Sequence, residues 1–210
     1  MNTRPNAPSC ERNRDPILQV LRTHFVQCTQ VLEIGSGTGQ HALYFAAAMP
    51  WLRWQCSDRA EHVPGIRAWL EDAALPNTPA PVELDVAHGS WPASKFDAVF
   101  TANTLHIMGW DEVEAMFVGL GEMLAFAPGA ASAFTLAVYG PFNYGGEFSS
   151  HSNRDFDASL RTRDPRMGIR DFEAVDGLAR AIGLELIDDI TMPANNRTLV
   201  WRRGAGSHAL

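Results

Sequence analysis

Apolar residues along this chain alternate between helical and strand spacing, and the alternation predicts the fold class. ERNRDPILQVLRTHF (11–25) sets Ile17, Leu18, Leu21 and Phe25 at helical spacing, so a leading helix is expected. A short strand over 31–34 follows, then a glycine turn, then HALYFAAAM as a small, strongly apolar helix. WLRWQCSD (51–58) reads as a second strand ending on an acid. Residues 61–74 are helical, with Val63, Ile66, Leu70 and Ala74 on one face. PVELDV (81–86) is the third predicted strand, and KFDAVFTANTLHIM (95–108) holds the fourth with its exit loop.

Asp111 and Glu114 form a D-x-x-E capping box for the next helix, whose Val113, Met116, Phe117, Leu120 and Leu124 face inward. PGAASAFTLAVYG predicts a turn and a fifth strand to about Tyr139, and the polar stretch SSHSNRDFDASLRTRDPRMG carries no predicted element. A helix at 170–182 buries Phe172, Val175, Leu178 and Ile182, and GLELIDDI, TMPANNR and TLVWRR read as a closing hairpin. Five strand–helix units in succession mean an α/β fold with a parallel sheet covered on both faces. The closing pair adds one antiparallel strand at the sheet's edge. One domain over 1–203 is expected, with a frayed tail at 204–210.

Composition narrows this picture only a little. The chain has 210 residues, enough for a full core, and 46% apolar with 20% charged residues is the balance of a soluble globular protein. No apolar run approaches the ~20 residues of a membrane helix. The polar start, MNTRPNAPSCERNRDP, lacks the apolar segment of a signal peptide, so the cytoplasm is the expected location. Cys10, Cys28 and Cys56 include no CxxC pair, and no metal site is expected. A formal charge of −7 argues against a long basic nucleic-acid footprint, although a local patch fits inside an acidic total.

The chemistry concentrates at Glu33-Ile34-Gly35-Ser36-Gly37-Thr38-Gly39. Glycines at a strand-to-helix turn let the backbone fold tightly and approach a ligand, although such turns also serve merely to pack a helix on a strand. A dinucleotide site prefers GxGxxG; here the third glycine comes one residue early and Gln40 takes the sixth place. Glu33 would repel a phosphate and suit an ammonium. Asp58 lies 23 residues after Gly35, about the ~20-residue offset of a ribose-binding acid. Asp85, with Val86 beside it, ends the third predicted strand, where a carboxylate accepts from an exocyclic amine. Three acids at three consecutive strand ends describe a pocket for amine, ribose and adenine, the parts of S-adenosylmethionine.

VLEIGSGTGQ, Asp58 and Asp85 resemble the cofactor motifs of class I S-adenosylmethionine-dependent methyltransferases. More narrowly, ERNRDPIL, VLEIGSGTGQHALYFA, YGPFNYGGEF with SNRDFDASLRTRDPRMGIRDFE, and MPANNRTLVWRR resemble the methyltransferase-like protein 26 family, formerly a domain of unknown function. Ile107-Met108 departs from that family's pattern. The resemblance implies the Rossmann-like seven-stranded methyltransferase sheet and the cofactor, not a substrate. It places the methionine part against Glu33, Gly35, Ser36, Gly37 and Gly39, the ribose at Asp58 and the adenine at Asp85 and Val86. It also folds the leading segment, Arg12, Asn13 and Arg14, over the cofactor.

On the acceptor side, the fourth strand delivers Asn103 and His106 to the sheet's ligand edge. Asn103 is a candidate contact for the cofactor and His106 a candidate base, against the commoner structural role of a lone histidine. The fifth strand delivers Tyr139, a further catalytic candidate with Tyr144. In YGPFNYGGEF the rings of Tyr139, Phe142, Tyr144 and Phe148 are expected to roof an acceptor pocket, Asn143 and Glu147 to give polar contacts, and Gly140, Gly145 and Gly146 to fold or hinge it. A packed loop capping the sheet is the plainer alternative. Arg154, Arg161, Arg163, Arg166 and Arg170 either recognise an anion or pair with Asp155, Asp157, Asp164 and Asp171. The leading expectation is a methyltransferase acting on a small molecule or a protein side chain. A non-catalytic cofactor-binding protein is the second reading, and an NAD-dependent oxidoreductase, disfavoured by Glu33 and Gln40, the third.

Overall fold

A computed structural model describes residues 4–92, 95–125 and 133–203. The turn expected ahead of the fifth strand and the tail at 204–210 fall largely or wholly outside them. In chain order the elements are α1 (Pro8–His24), β1 (Gln30–Ile34), α2 (Gln40–Ala48), β2 (Arg53–Asp58), α3 (Val63–Ala73), β3 (Val82–Glu83), β4 (Ala98–Ala102) and α4 (Trp110–Ala125). They continue as β5 (Phe134–Gly140), β6 (Phe142–Asn143), α5 (His151–Arg163), β7 (Arg170–Asp171), α6 (Phe172–Ala181), β8 (Glu185–Met192) and β9 (Asn196–Arg203). Seven strands form one sheet in the order β3-β2-β1-β4-β5-β9-β8, and β6 and β7 make a separate parallel pair. The fold is the Rossmann-like α/β sheet of class I methyltransferases. Backbone contacts gather the chain into two compact units, Met1–Thr101 and Ala102–Leu210.

In the first unit β1 pairs in parallel with β2 and with β4, so the strand order reverses beside β1. Such a reversal opens a crevice at the carboxyl ends of the strands. Strand burial follows from composition: Val31, Leu32, Trp54 and Cys56 are fully enclosed, as a strand covered on both faces requires. Phe45 on α2, Trp54 on β2 and Phe100 on β4 meet with ring centroids 5.5–5.9 Å apart, which fixes the helix over the strand ends.

In the second unit β9 runs antiparallel to both β5 and β8, so the one reversed strand lies second from the edge and β8 forms the edge itself. The β8–β9 register slips between Leu186 and Asp188, leaving a bulge at Ile187. Among the described residues no helix is long and apolar enough to cross a membrane.

Besides the β6–β7 pair and the inner place of β9, four elements differ from their sequence expectation, each for a local reason. The third strand is only Val82–Glu83, because it pairs with just the last two residues of β2 before Asp85 turns the chain. The cap of α4 is shifted: Glu112, not Glu114, reaches back to the Gly109 N–H at 2.6 Å, while Glu114 accepts from the Trp110 indole. Helix α1 begins at Pro8, whose missing N–H is harmless in a first turn. Helix α5 was not expected at all, since its buried positions are Asn153, Asp157 and Leu160, and only the last is apolar.

Candidate functional site

The turn after β1 is built by three left-handed glycines, Gly35, Gly37 and Gly39, with φ of 71°, 58° and 85°. Two of them need the missing side chain for different reasons. A Cβ on Gly39 would stand 3.3 Å from Ile66 Cγ2, so that glycine lets α2 pack on α3. A Cβ on Gly37 would meet no protein atom within 4 Å, so the backbone there faces open space. Ser36 locks the turn to β2: its N–H donates to the Ser57 carbonyl at 3.0 Å and its hydroxyl to the Glu33 carboxylate at 2.9 Å.

Asp58 closes the second side of the turn. Its Oδ2 accepts the Gly37 N–H at 2.7 Å, and its Oδ1 accepts the Arg59 N–H at 2.8 Å with His62 Nδ1 also at 2.8 Å. The strand-two acid and the glycine turn therefore form one hydrogen-bonded assembly. A carboxylate has about four lone-pair positions, so Asp58 retains acceptor capacity beyond these contacts.

Glu33 sits at the same strand end but turns inward. It is 2% exposed, and its Oε2 accepts from the Ser36 hydroxyl and from Trp54 Nε1 at 3.1 Å. Burial pushes its carboxyl up to about 7, against the hydrogen bonds from Trp54 and Ser36 that favour the charged form. The internal partners of this acid are thus Ser36 and Trp54, both on Oε2.

Asp85 lies two residues beyond β3. Its Oδ1 accepts the Ala87 N–H at 3.0 Å, and its carbonyl accepts from His88 and Gly89. Burial alone would raise its pKa; the Ala87 hydrogen bond, Arg59 and His88 outweigh that and lower it. Val86 beside it is buried.

Asn13 is buried on α1 and its Oδ1 lies 2.7 Å from Nε2 of His41 on α2. Burial and the nearby Arg14 push the His41 pKa down to about 4, so the neutral ring donates to the amide oxygen. Sequence reasoning missed the job of Gln40, noted only as a departure from a dinucleotide pattern. Its Oε1 accepts the Ala7 N–H at 2.7 Å and the Thr38 hydroxyl at 2.9 Å, and its Nε2 donates to Asn6. Pro5 packs against Gly65, and its carbonyl accepts from Trp69 Nε1 at 2.8 Å. Residues 4–7 are thereby strapped from α3 to the start of α2.

In the second unit Asn103 follows β4 with φ of 57°, a conformation that Asn tolerates better than most residues, and its N–H donates to the Tyr139 carbonyl. His106 is 6% exposed; its ring lies edge-on to Phe156 at 5.3 Å, and Gly140 lies beside it, where a Cβ would make an ordinary contact 3.7 Å from Nδ1. Burial, then Arg170 and Arg163, push the His106 pKa down to about 4. The imidazole is neutral at physiological pH.

The aromatic loop resolves into fixed parts. Tyr139 and Phe142 are buried in the core, and Glu147 is exposed. Gly145 and Gly146, with φ of 58° and 79°, make a two-residue turn closed by reciprocal bonds between Tyr144 and Glu147. The Tyr144 ring stacks on Phe172 at 5.4 Å, and its hydroxyl donates to Asp189 at 2.9 Å. Burial, then Asp189, push that phenol up to about 12. Two of the arginines pair with acids, Arg161 with Asp157 and Arg166 with Asp164. Arg170 instead donates to the carbonyls of Leu105, Met108 and Arg166, and Arg154 lies over the Phe148 ring. Asn143 is 7% exposed and its Oδ1 has no partner.

Over residues 4–203 the chain matches the family described as a protein of unknown function, DUF938. In three dimensions it is similar to an O-methyltransferase family protein from Burkholderia thailandensis, with a TM-score of 0.76 at 15% identity over 92% of this chain and 57% of that one. It is also similar to the S-adenosylmethionine-dependent methyltransferase SibL in its apo form, at TM-score 0.75 and 20% identity, over 93% and 55%. A third similar structure is PigF with SAH, at TM-score 0.70 and 15% identity, over 89% and 54%. The chain spans little more than half the length of these proteins.

Proposed function

We propose that this chain, which belongs to the DUF938 family of proteins of unknown function, is an S-adenosylmethionine-dependent methyltransferase acting on a small molecule or a protein side chain. The finer kinship we read from its motifs is with methyltransferase-like protein 26. The observation that carries the reading is the assembly of Asp58 with Gly37 at the point where the strand order reverses. Open space over Gly37 and spare acceptor capacity on Asp58 fit a ribose diol lying against the glycine turn.

In this reading Asp58 accepts from ribose hydroxyls, while Asp85 and Val86 frame the adenine. Gly35, Ser36, Gly37 and Gly39 give the methionine part its backbone cradle. Asn103 is assigned a polar contact to the cofactor, and Asn13 acts through His41 by holding α1 against α2. The chemistry the cofactor supplies is an activated methyl group on a sulfonium. What remains for the chain is to orient the acceptor, exclude water and take a proton where the acceptor carries one. His106 holds a lone pair at neutral pH and is the assigned base. Tyr144, with its hydroxyl committed to Asp189, is assigned to support the acceptor loop rather than to move a proton.

Calorimetric titration with S-adenosylmethionine tests the cofactor assignment. Asp58→Ala should weaken binding roughly ten- to a hundredfold, the loss of a charge-assisted hydrogen bond of about 1.5–3 kcal/mol. Asp58→Asn, whose amide oxygen can accept only one of the Gly37 and Arg59 N–H groups, should weaken it in the same direction with a lowered melting temperature. Wild-type affinity in both variants would remove the ribose role. Labelled cofactor added to cell extract, followed by fractionation of the labelled product, then finds the acceptor.

A further inference from the structure

The turn that carries His106 is held by one segment some sixty residues further along the chain. Within the turn, the Thr104 carbonyl accepts from the Ile107 and Met108 N–H groups at 3.0 and 3.2 Å. The carbonyls of Leu105, His106 and Met108 are all taken up by residues 168–170. The Arg170 guanidinium donates through Nε to Leu105 at 3.0 Å and through Nη2 to Met108, while the Gly168 N–H donates to His106 at 3.0 Å. The assigned base is thus tethered at its own carbonyl, at the one before it and at one just after it.

The clamp is itself fixed. Asp157 on α5 accepts the Ile169 N–H at 2.7 Å and pairs with Arg161. A Cβ on Gly168 would stand 2.9 Å from Asp157 Oδ1, so glycine lets the segment lie this close to α5. Arg170 sits in β7 opposite Phe142, with its guanidinium 6.0 Å from the centre of the Trp110 ring on α4. Arg161 and Arg166 are paired with carboxylates, whereas Arg170 donates to three backbone carbonyls. A planar guanidinium reaches several acceptors at fixed angles, which an ammonium on a flexible stem does not.

We propose that Arg170 is a positioning residue for His106: with Gly168 it holds the Leu105–Met108 turn in the conformation that presents the imidazole to the methyl acceptor. The purpose rests on the methyltransferase reading, but the clamp is testable without cofactor or acceptor. Its charge has a second effect on the same ring. After burial, which is the larger cause, Arg170 and then Arg163 on α5 disfavour protonation of His106. Arg170 in turn lies in the field of Arg161 and Asp157 on α5 and of Asp111 and Glu112 on α4. Loss of the Arg170 charge therefore makes the ring easier to protonate, while Arg170→Lys keeps the charge and loses the fork.

Hydrogen exchange of the Ile107 and Met108 amides reads the turn, and NMR titration of the His106 ring reads the charge. Arg170→Gln should speed both amides roughly tenfold and raise the ring's midpoint from about 4 by roughly one unit. Arg170→Lys should speed the amides alike and leave the midpoint near that of wild type. Arg163→Gln, at the exposed end of α5, should leave the amides at wild-type rates. With the acceptor recovered by labelling, both Arg170 variants should lose kcat roughly 10- to 100-fold at unchanged S-adenosylmethionine affinity.

Wild-type exchange at both amides in a folded Arg170→Gln variant would overturn the clamp. Where that variant does not fold, the wild type decides: its Arg170 Nε–H should exchange roughly a hundredfold more slowly than that of free arginine. Exchange as fast as free arginine's would overturn the clamp without any variant. Calorimetry with S-adenosylmethionine on the same sample separates the two claims. Cofactor binding with a freely exchanging Arg170 removes the clamp and leaves the methyltransferase, whereas a protected Arg170 without cofactor binding does the reverse.

Discussion

At His106, burial and two guanidinium groups, Arg170 and Arg163, act in the same direction and keep the ring neutral down to about pH 4. A base of that kind is always ready and never strong. With the acceptor found by labelling, the transfer rate attributable to His106 should be flat from pH 5 to 8 and fall only toward pH 4. A midpoint near 6.5 would show a solvated imidazole instead. His106→Asn should slow transfer roughly 10²–10⁴-fold, the usual scale of general-base catalysis, with cofactor affinity unchanged. Single residues of this site were legible in the sequence as chemical types, because a strand-end acid or a post-strand histidine is visible in the spelling. Their orientation was not. Glu33 turns inward because Trp54 and Ser36, one distant and one near in sequence, both offer it donors. Tyr144 is drawn off by Asp189, 45 positions away.

Between residues and the fold, the turn at Gly145-Gly146 shows how an element can be misread from composition. Glycine suggests freedom, but a two-residue turn with both φ positive uses glycine to hold one conformation. A Cβ on Gly146 would meet nothing within 4 Å, so Gly146→Ala tests the backbone alone. The left-handed residue should cost about 1–2 kcal/mol, a fall in melting temperature of a few degrees for a chain of this size by scanning calorimetry. No change would mean that the turn is not locked. Long apolar-periodic elements such as α3 and α4 were readable within a few residues. Helix α5 was not, because Asn153 bonds Ser149 and the Asn195 carbonyl while Asp157 holds the Ile169 N–H. An inward face made of hydrogen bonds leaves no hydrophobic period to find.

For the whole molecule, buried titratable groups set opposing limits on stability with pH. The Glu33 carboxyl is raised from 4.5 to about 7, so its contribution is fully present below pH 4.5 and is lost as pH rises through 7. His41 and His106 are depressed from 6.5 to about 4, so theirs is present above pH 6.5 and is lost as pH falls through 4. Glu33→Gln removes only the first effect. Urea unfolding should show the variant gaining on wild type between pH 5 and 8, by up to the order of 3 kcal/mol. A difference constant with pH would return Glu33 to its ordinary range. The parallel, doubly covered sheet was foreseeable from alternating periods, whereas the strand order and the placement of β9 inside the edge depend on pairings such as that of β9 with β5 over seven residues.

That placement leaves β8 as the open margin of the sheet, and its bulge at Ile187 then has a colloidal consequence. An unbroken edge would offer a row of free backbone groups to the same strand of another molecule. The slip between Leu186 and Asp188 breaks that row, and Glu185 and Asp188 bring two like charges to it, while Asp189 is paired with Arg197. Stacking of two chains edge to edge is thereby opposed both in register and in charge, and the strand most open to fibril growth resists it.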